Sequence, residues 1–488
     1  MLFSSNPAQA RMPLLEALRS RAQKPDAAFY APGHKRGKGI PQALEDLLGS
    51  AVFQADLPEL PELDNLFAPQ GAIEAAQNLA AEAFGAEKTW FLVNGSTCGV
   101  MAAILATCGA GDKIILPRNS HQSAIAGLIH SGAIPLFVNP EYDPQLDLAY
   151  SITPEAVERV LKQNPETKAI MMVYPTYHGI CGDLGAIARL AHQHDIPLLV
   201  DEAHGAHLAF HPDLPPSALS LGADLSVQST HKLLGAMTQA SMLHLQGNRI
   251  DPQRLSQALQ LFQSTSPSYL LLASLDAARQ QMAMRGEELL SRAIAFGDRA
   301  GNQIGQISHL SVLNPLKTPK EGFSDLDRTR LTVFVHQLNL NGFDIDERLT
   351  QTLNVTAELP LPNHLTFIIT HGNTATDIDQ LVCAFQHIAQ DSSLSSPPLP
   401  PIFPPPLPFL ALSPREAFFA PQETLPLQQT PGRISAELVC PYPPGIPVLM
   451  PGETISPNSL NTLQRILNLG GCITGCSDLT LKTLKVVR

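Results

Sequence analysis

The chain has 488 residues, 44% of them hydrophobic, enough for cores in about three structural units, and this rules out disorder as the dominant state. Its 32 Lys and Arg face 44 Asp and Glu, and a formal charge of −12 argues against a nucleic-acid binder, whose affinity needs cations on phosphates. Charged residues make up only 16%, which favours the extensive buried surface of an oligomer.

No apolar run approaches the ~18 residues of a membrane span, and Met1 to Ser20 lacks the hydrophobic stretch of a secretory signal. The seven cysteines are an odd number scattered through the chain, which fits reduced thiols in a cytoplasm. Cys472 and Cys476 form a C-x3-C pair without a second ligand pair, so no metal site is expected there.

From Thr89 onward, short runs rich in Val, Ile and Leu alternate with helix-like segments. The runs are Thr89–Val93, Lys113–Leu116, Pro135–Val138, Ala169–Val173, Pro197–Val200 and Leu225–Gln228. Continuous apolar runs suit a parallel sheet covered on both faces. Helical spacing appears in Pro154–Gln163 and in Leu184–His194. The pattern predicts a large α/β domain over residues 61–305, preceded by an N-terminal segment, 1–60. Ligands then belong at the carboxyl ends of the strands, in the loops opening at Asn94, Pro117, Tyr174, Asp201 and Ser229.

After residue 305 the rhythm changes. Thr332–Val335 and Leu365–Thr370 read as strands and Asp377–Gln390 as a helix, a small α+β domain over 306–390. A connector rich in Ser and Pro follows, over 391–412, and reads as a polyproline-like spacer rather than a docking segment. Residues 413–488 regain pattern as a C-terminal domain.

Chemistry-bearing residues stand at the strand ends. Asn94-Gly95-Ser96-Thr97 opens a helix, where backbone N–H groups and two hydroxyls suit a phosphate, although such loops are also common turns. His121 follows the second run and can stack on an aromatic ring, or be a plain loop histidine. Asp201 ends an apolar strand, and a buried carboxylate there would keep the pyridine nitrogen of pyridoxal 5′-phosphate (PLP) protonated, with His204 near its phenolic oxygen. His204, His207 and His211 also raise a metal alternative, but Gly205 and Pro212 bracket them and no H-E-x-x-H is present. Lys232, after Ser229-Thr230-His231, is either a lysine that reaches solvent or an ion pair, or a desolvated amine that forms a Schiff base.

Phosphate loop, stacking ring, aspartate and lysine occur in the order of fold type I PLP enzymes. The runs Tyr30–Lys35, Asn94–Thr97, Arg118–Ser123, Asp201–His207 and Ser229–Gln239 resemble signature blocks of the Orn/Lys/Arg decarboxylases. So do Thr265–Tyr269, Pro441–Pro447 and Pro451–Glu453, and the resemblance covers almost the whole chain in order.

The resemblance implies a PLP-binding large domain with a mainly parallel sheet, and smaller α+β domains after it. Lys232 would carry PLP and Asp201 would face the pyridinium, with Ala203 beneath the ring and His121 above it. Gly95, Ser96, Thr97, Ser229 and His231 would hold the phosphate. Thr265, Ser266 and Tyr269 would reach the partner subunit's site, and His34 and Glu453 the substrate. The implied reaction is decarboxylation of arginine or lysine, less so ornithine, to agmatine, cadaverine or putrescine. The alternative is another fold type I enzyme, an aminotransferase or α-oxoamine synthase. Larger family members carry an N-terminal wing domain. Here Gly33-His34 falls too early for one, so a homodimer or dimer of dimers with a biosynthetic role is expected.

Overall fold

The computed structural model describes residues 6–315, 319–338, 340–391 and 409–488; most of the connector expected over 391–412, residues 392–408, lies outside them. Its centre is a seven-stranded sheet. In chain order the strands are β1 (Lys88–Leu92), β2 (Lys113–Pro117), β3 (Ile134–Val138), β4 (Ala169–Val173), β5 (Leu198–Asp201), β6 (Leu225–Gln228) and β7 (Ser241–Leu245). The spatial order is β1-β7-β6-β5-β4-β2-β3, with β7 antiparallel to both of its neighbours and the others all parallel.

Alternation along each strand builds two cores. Phe91, Ile115, Ile170, Leu198 and Met242 pack on one face, against Tyr269, Leu272 and Leu275 of the long helix Tyr269–Ile304. Leu92, Ile114, Met171, Leu199, Val227 and Leu243 pack on the other, against Val100, Ala103 and Ile104 of the helix Gly95–Thr107. Strand β7 interrupts the apolar pattern with His244. This ring is buried because its Nδ1 lies 2.8 Å from Thr89 Oγ1 and its Nε2 lies 3.1 Å from Gln228 Oε1.

The long helix runs on into a third core, to which it contributes Ala300 and Ile304. Here β8 (Ser311–Val312), β9 (Arg330–Phe334), β10 (Leu359–Leu361) and β11 (His364–Ile368) form an antiparallel sheet in the order β8-β9-β11-β10. Helix Ala375–Asp391 covers it with Ile378, Leu381 and Phe385. A C-terminal core gathers Leu427, Val439, Leu449, Leu463, Ile473 and Val486. This unit is tied back to the large one by Met450, which joins the second face's core, and by Arg415, which donates to the carbonyls of Ile129 and His130. At the N-terminus, Asp276 of the long helix accepts the Leu14 N–H at 3.0 Å, and Arg279 donates to the Gln9 and Arg11 carbonyls. Phe29 and Leu47 of the same N-terminal segment are 93% and 77% exposed.

Candidate active site

Parallel strands bring the loops after β1, β2, β4, β5 and β6 to one edge of the sheet. After β1 the helix Gly95–Thr107 begins with no side-chain cap, so its first N–H groups stay available. Gly95 has φ +74°, a conformation that favours glycine, and a Cβ there would meet nothing closer than Gln239 O at 4.0 Å. Ser96 Oγ lies 2.7 Å from Ser229 Oγ, which links the β1 and β6 loops, and Thr97 is exposed beside it. Positive helix end, open backbone and paired hydroxyls form an anion cradle.

After β5, Asp201 is 7% exposed and accepts the Ala203 N–H at 3.2 Å. Burial raises its carboxyl above the usual range, and Lys232 opposes that rise. Glu202, the next residue, faces the other side of the strand. It accepts from Ser226, Gln228 and the Ala218 N–H, and burial pushes it up to about 7.

Lys232 lies on the single helical turn Thr230–Leu233, and its Nζ is 2.9 Å from Nε2 of buried His204. Burial lowers the Lys232 amine, against the pull of Asp201 and Glu358 and with the help of Arg330. Burial and Lys232 hold His204 well below the usual imidazole range, and hold His121 at about 4. His121 caps the helix Gln122–Ser131, with Nδ1 accepting the Ser123 N–H at 3.2 Å and facing Ser123 Oγ at 2.8 Å. Gly445, at φ +87°, lies so close that a Cβ there would come within 3.3 Å of His121 Nε2. The C-terminal block thus closes on His121.

The structure gathers Gly95, Ser96, Thr97, His121, Asp201, Ala203, His204, Ser229, His231 and Lys232 on these strand-end loops. His231 lies with Nδ1 3.0 Å from Ala240 O, so in the neutral ring Nδ1–H donates and Nε2 offers an anion only a lone pair. Other expectations need correction. Glu453 is 1% exposed and paired with Arg118 at 3.1 Å, where it also accepts the Met450 N–H at 3.0 Å. Arg118 further donates to the Pro447 and Val448 carbonyls, so the Arg118–Glu453 pair ties the C-terminal unit to the loop after β2. Tyr269 is 0% exposed, with its hydroxyl on the Asp64 carbonyl at 2.6 Å in its own chain, whereas Thr265 and Ser266 are exposed. His34 stays with the N-terminal segment, 3.1 Å from Asp56 and edge-on to Phe53. The three histidines of the metal alternative diverge: His204 faces Lys232, His207 faces Thr329 and Asp327, and His211 faces Ser291.

Two further side chains complete the site. Tyr177, from the loop after β4, packs 4.9 Å from the His204 ring, and burial and Asp201 keep its phenol protonated. The rule that ligands sit at strand ends points to that loop, but not to that residue. Arg330, from the small unit, contacts His204 and leaves no signal in the sequence. Beyond Tyr177 lies a cavity of about 240 Å³, walled by all three units, with Asp147 and His178 in its lining.

A family model described as the Orn/Lys/Arg decarboxylase major domain matches residues 12–327, and the family's C-terminal domain matches residues 405–470. The chain belongs to the Orn/Lys/Arg decarboxylase family. It is 38% identical over 482 residues to arginine decarboxylase of Bacillus subtilis (strain 168), covering 98% of each chain. It is also 38% identical over 483 residues to arginine decarboxylase of Halalkalibacterium halodurans, again over 98% of each. The solved constitutive lysine decarboxylase of Escherichia coli superposes with a TM-score of 0.83 at 19% identity, covering 98% of this chain and 82% of that one. The fold is that of the fold type I PLP enzymes. This decarboxylase's own residues fit the group. An uncapped helix N-terminus opens on paired hydroxyls, and a buried acid and a buried lysine meet a neutral imidazole.

Proposed function

We propose that this decarboxylase converts L-arginine to agmatine and CO2, with pyridoxal 5′-phosphate held at Lys232. The observation that carries the reading is Lys232 Nζ at 2.9 Å from His204 Nε2, beside buried Asp201. Arginine is favoured over lysine and ornithine by the two relatives of matching length, both named arginine decarboxylases.

When bound, the cofactor would supply an electron sink for the carbon that loses CO2. Asp201 supplies the negative charge that keeps the ring nitrogen protonated, and a buried position strengthens that attraction. The helix N-terminus at Gly95, with Ser96, Thr97 and Ser229, would hold the phosphate. His121 offers an uncharged ring face for stacking. Lys232 supplies the amine and gives the proton that Cα takes up, and neutral His204 orients it from Nε2. Tyr177 lines the way from Lys232 to the cavity, where Asp147 meets the substrate's distal cation. Asp147 is oriented by the Tyr142 hydroxyl and by Asn363 Nδ2 at 2.8 Å.

The exposed apolar side chains of Phe29 and Leu47 support assembly as a homodimer. All seven cysteines are free thiols, which suits a reducing cytoplasm.

The test is separate incubation of the PLP-loaded protein with arginine, lysine and ornithine, with products identified by mass spectrometry and Lys232→Ala as control. Agmatine formed only by the intact protein supports the proposal. Cadaverine or putrescine instead would move the substrate, and an oxo acid without amine would replace decarboxylation with transamination.

A further inference from the structure

Arg330 opens strand β9 of the small unit and is 2% exposed, yet its guanidinium reaches the large unit. Its Nη2 lies 3.1 Å from His204 Nδ1 and 3.2 Å from the His204 carbonyl oxygen. Its Nε and Nη1 have no hydrogen-bond partner among the described residues. Asp327 and Glu358 offset its charge, but two buried nitrogens left without hydrogen bonds are costly for a mere brace between domains.

Donor identity fixes the rest. A guanidinium has only N–H donors and stays charged at any ordinary pH. His204 Nδ1 must therefore present its lone pair, so the hydrogen of the neutral ring sits on Nε2. That Nε2–H faces Lys232 Nζ across 2.9 Å, and the contact is a hydrogen bond only if Nζ accepts. An ammonium has three donors and no lone pair. An ammonium donating into Nε2 would require an imidazole ring with no hydrogen at all.

We infer that Arg330 is a positioning residue: its donors hold the His204 hydrogen on Nε2, and that hydrogen keeps Lys232 a free amine. The inference rests on the reading of Lys232 as the lysine that carries the cofactor, and it supplies what that reading needs. Only a free amine adds to an aldehyde carbon, whose oxygen then leaves as water.

The surrounding charges divide. Asp201, from the end of β5, and Glu358, from the small unit, favour an ammonium at Lys232, while burial and Arg330 oppose it. Around His204, Lys232, Arg330, His121 and His178 all act with burial to keep the ring neutral.

The test uses the full-length apoprotein and needs no catalytic turnover. Trace acetic anhydride labels amines between about pH 6 and about pH 11, and mass spectrometry of the peptide carrying Lys232 gives its titration midpoint. The midpoint, unlike the rate, does not depend on how easily the reagent enters. In the intact protein it should fall at least about one pH unit below the roughly 10.4 of an exposed lysine. Arg330→Met should raise it by about one pH unit, a tenfold loss of free amine at neutral pH. Arg330→Gln should raise it too, because an amide can turn its oxygen to Nδ1–H and release the tautomer. Arg330→Lys, a pure donor, should restore most of the depression. An ordinary midpoint in the intact protein would overturn the inference even if no variant folds. So would a midpoint that folded Arg330→Met and Arg330→Gln leave unmoved. A depressed, Arg330-dependent midpoint in a protein that makes no amine from any substrate would sink the decarboxylase reading and leave this one standing.

Discussion

His204 Nε2 lies 2.9 Å from Lys232 Nζ, and the two side chains rise just beyond the ends of the adjacent parallel strands β5 and β6. With its hydrogen on Nε2, neutral His204 donates to the Lys232 amine and orients it. His204→Gln keeps a polar group of similar reach but can turn its oxygen to the amine and favour the ammonium. Its kcat should fall about tenfold or more, with a melting temperature close to that of the parent. Steady-state kinetics beside thermal unfolding decides this, and a loss under about threefold would remove His204 from the positioning of Lys232.

Ser96 and Ser229 make one cradle from two loops, since their hydroxyls are 2.7 Å apart. Either single change to alanine leaves the other hydroxyl without its neighbour and, on the proposed reading, takes away one donor to the phosphate. Each should weaken PLP binding about five- to tenfold, the worth of roughly 1 kcal/mol per hydrogen bond. The double variant should lose less than the product of the two, because contacting groups are not additive. Fluorescence titration of apoprotein with PLP measures all three. Strict additivity would mean that the hydroxyls act on separate ligands.

Asp147 is the carboxylate in the lining of the 240 Å³ cavity, held by Tyr142 and Asn363. If a guanidinium is received there, Asp147→Asn should raise the KM for arginine at least about tenfold while kcat changes less, since the lost contact exists before and during the reaction. Equal KM values for the variant and its parent would place the distal cation elsewhere.

The large sheet was legible because a parallel sheet covered on both faces demands continuous apolar strands, and six such runs stand out. Asp201, His204 and Lys232 were legible for a related reason: polar groups at the ends of those runs need a purpose. Strand β7 was hidden by His244, a polar residue satisfied only through Thr89 and Gln228 on neighbouring strands. Arg330 was hidden because it is 126 residues from His204, and nothing local states which strand of the small unit faces the site. The sequence alone does not sort Glu453, because a carboxylate in a distinctive block can equally serve as a clamp between domains. Tyr269 misled because the first turn of a long amphipathic helix is also core.

The clamp can be told from a substrate contact. Glu453→Gln leaves Arg118 buried without its counter-charge, and breaking a buried pair in this way costs about 3 kcal/mol. The urea midpoint should fall clearly, and the C-terminal block should lose protection from hydrogen exchange around Gly445. Folded enzyme should keep its KM for arginine within about threefold. A large rise in KM with unchanged stability would return Glu453 to the substrate.

Asp327 offers a reading in pH. It is fully buried with Oδ2 3.0 Å from His207 Nε2, while its Oδ1 accepts both the N–H and the hydroxyl of Thr329. Burial pushes its carboxyl up, but His207, Arg330 and Thr329 prevail and hold it at about 2. The unfolded chain binds that proton near 3.9. The stabilisation is therefore complete above about pH 4 and is lost as the pH falls toward 2, and it amounts to about 2–3 kcal/mol. Asp327→Asn should lower stability by at least that amount at neutral pH, because His207 and Arg330 lose a shared anion. The gap between parent and variant should then narrow as the pH drops below about 4. Urea unfolding at a series of pH values from 7 to 3 follows it directly. A gap that stayed constant through that range would show that Asp327 contributes through shape and hydrogen bonding alone, with its charge irrelevant.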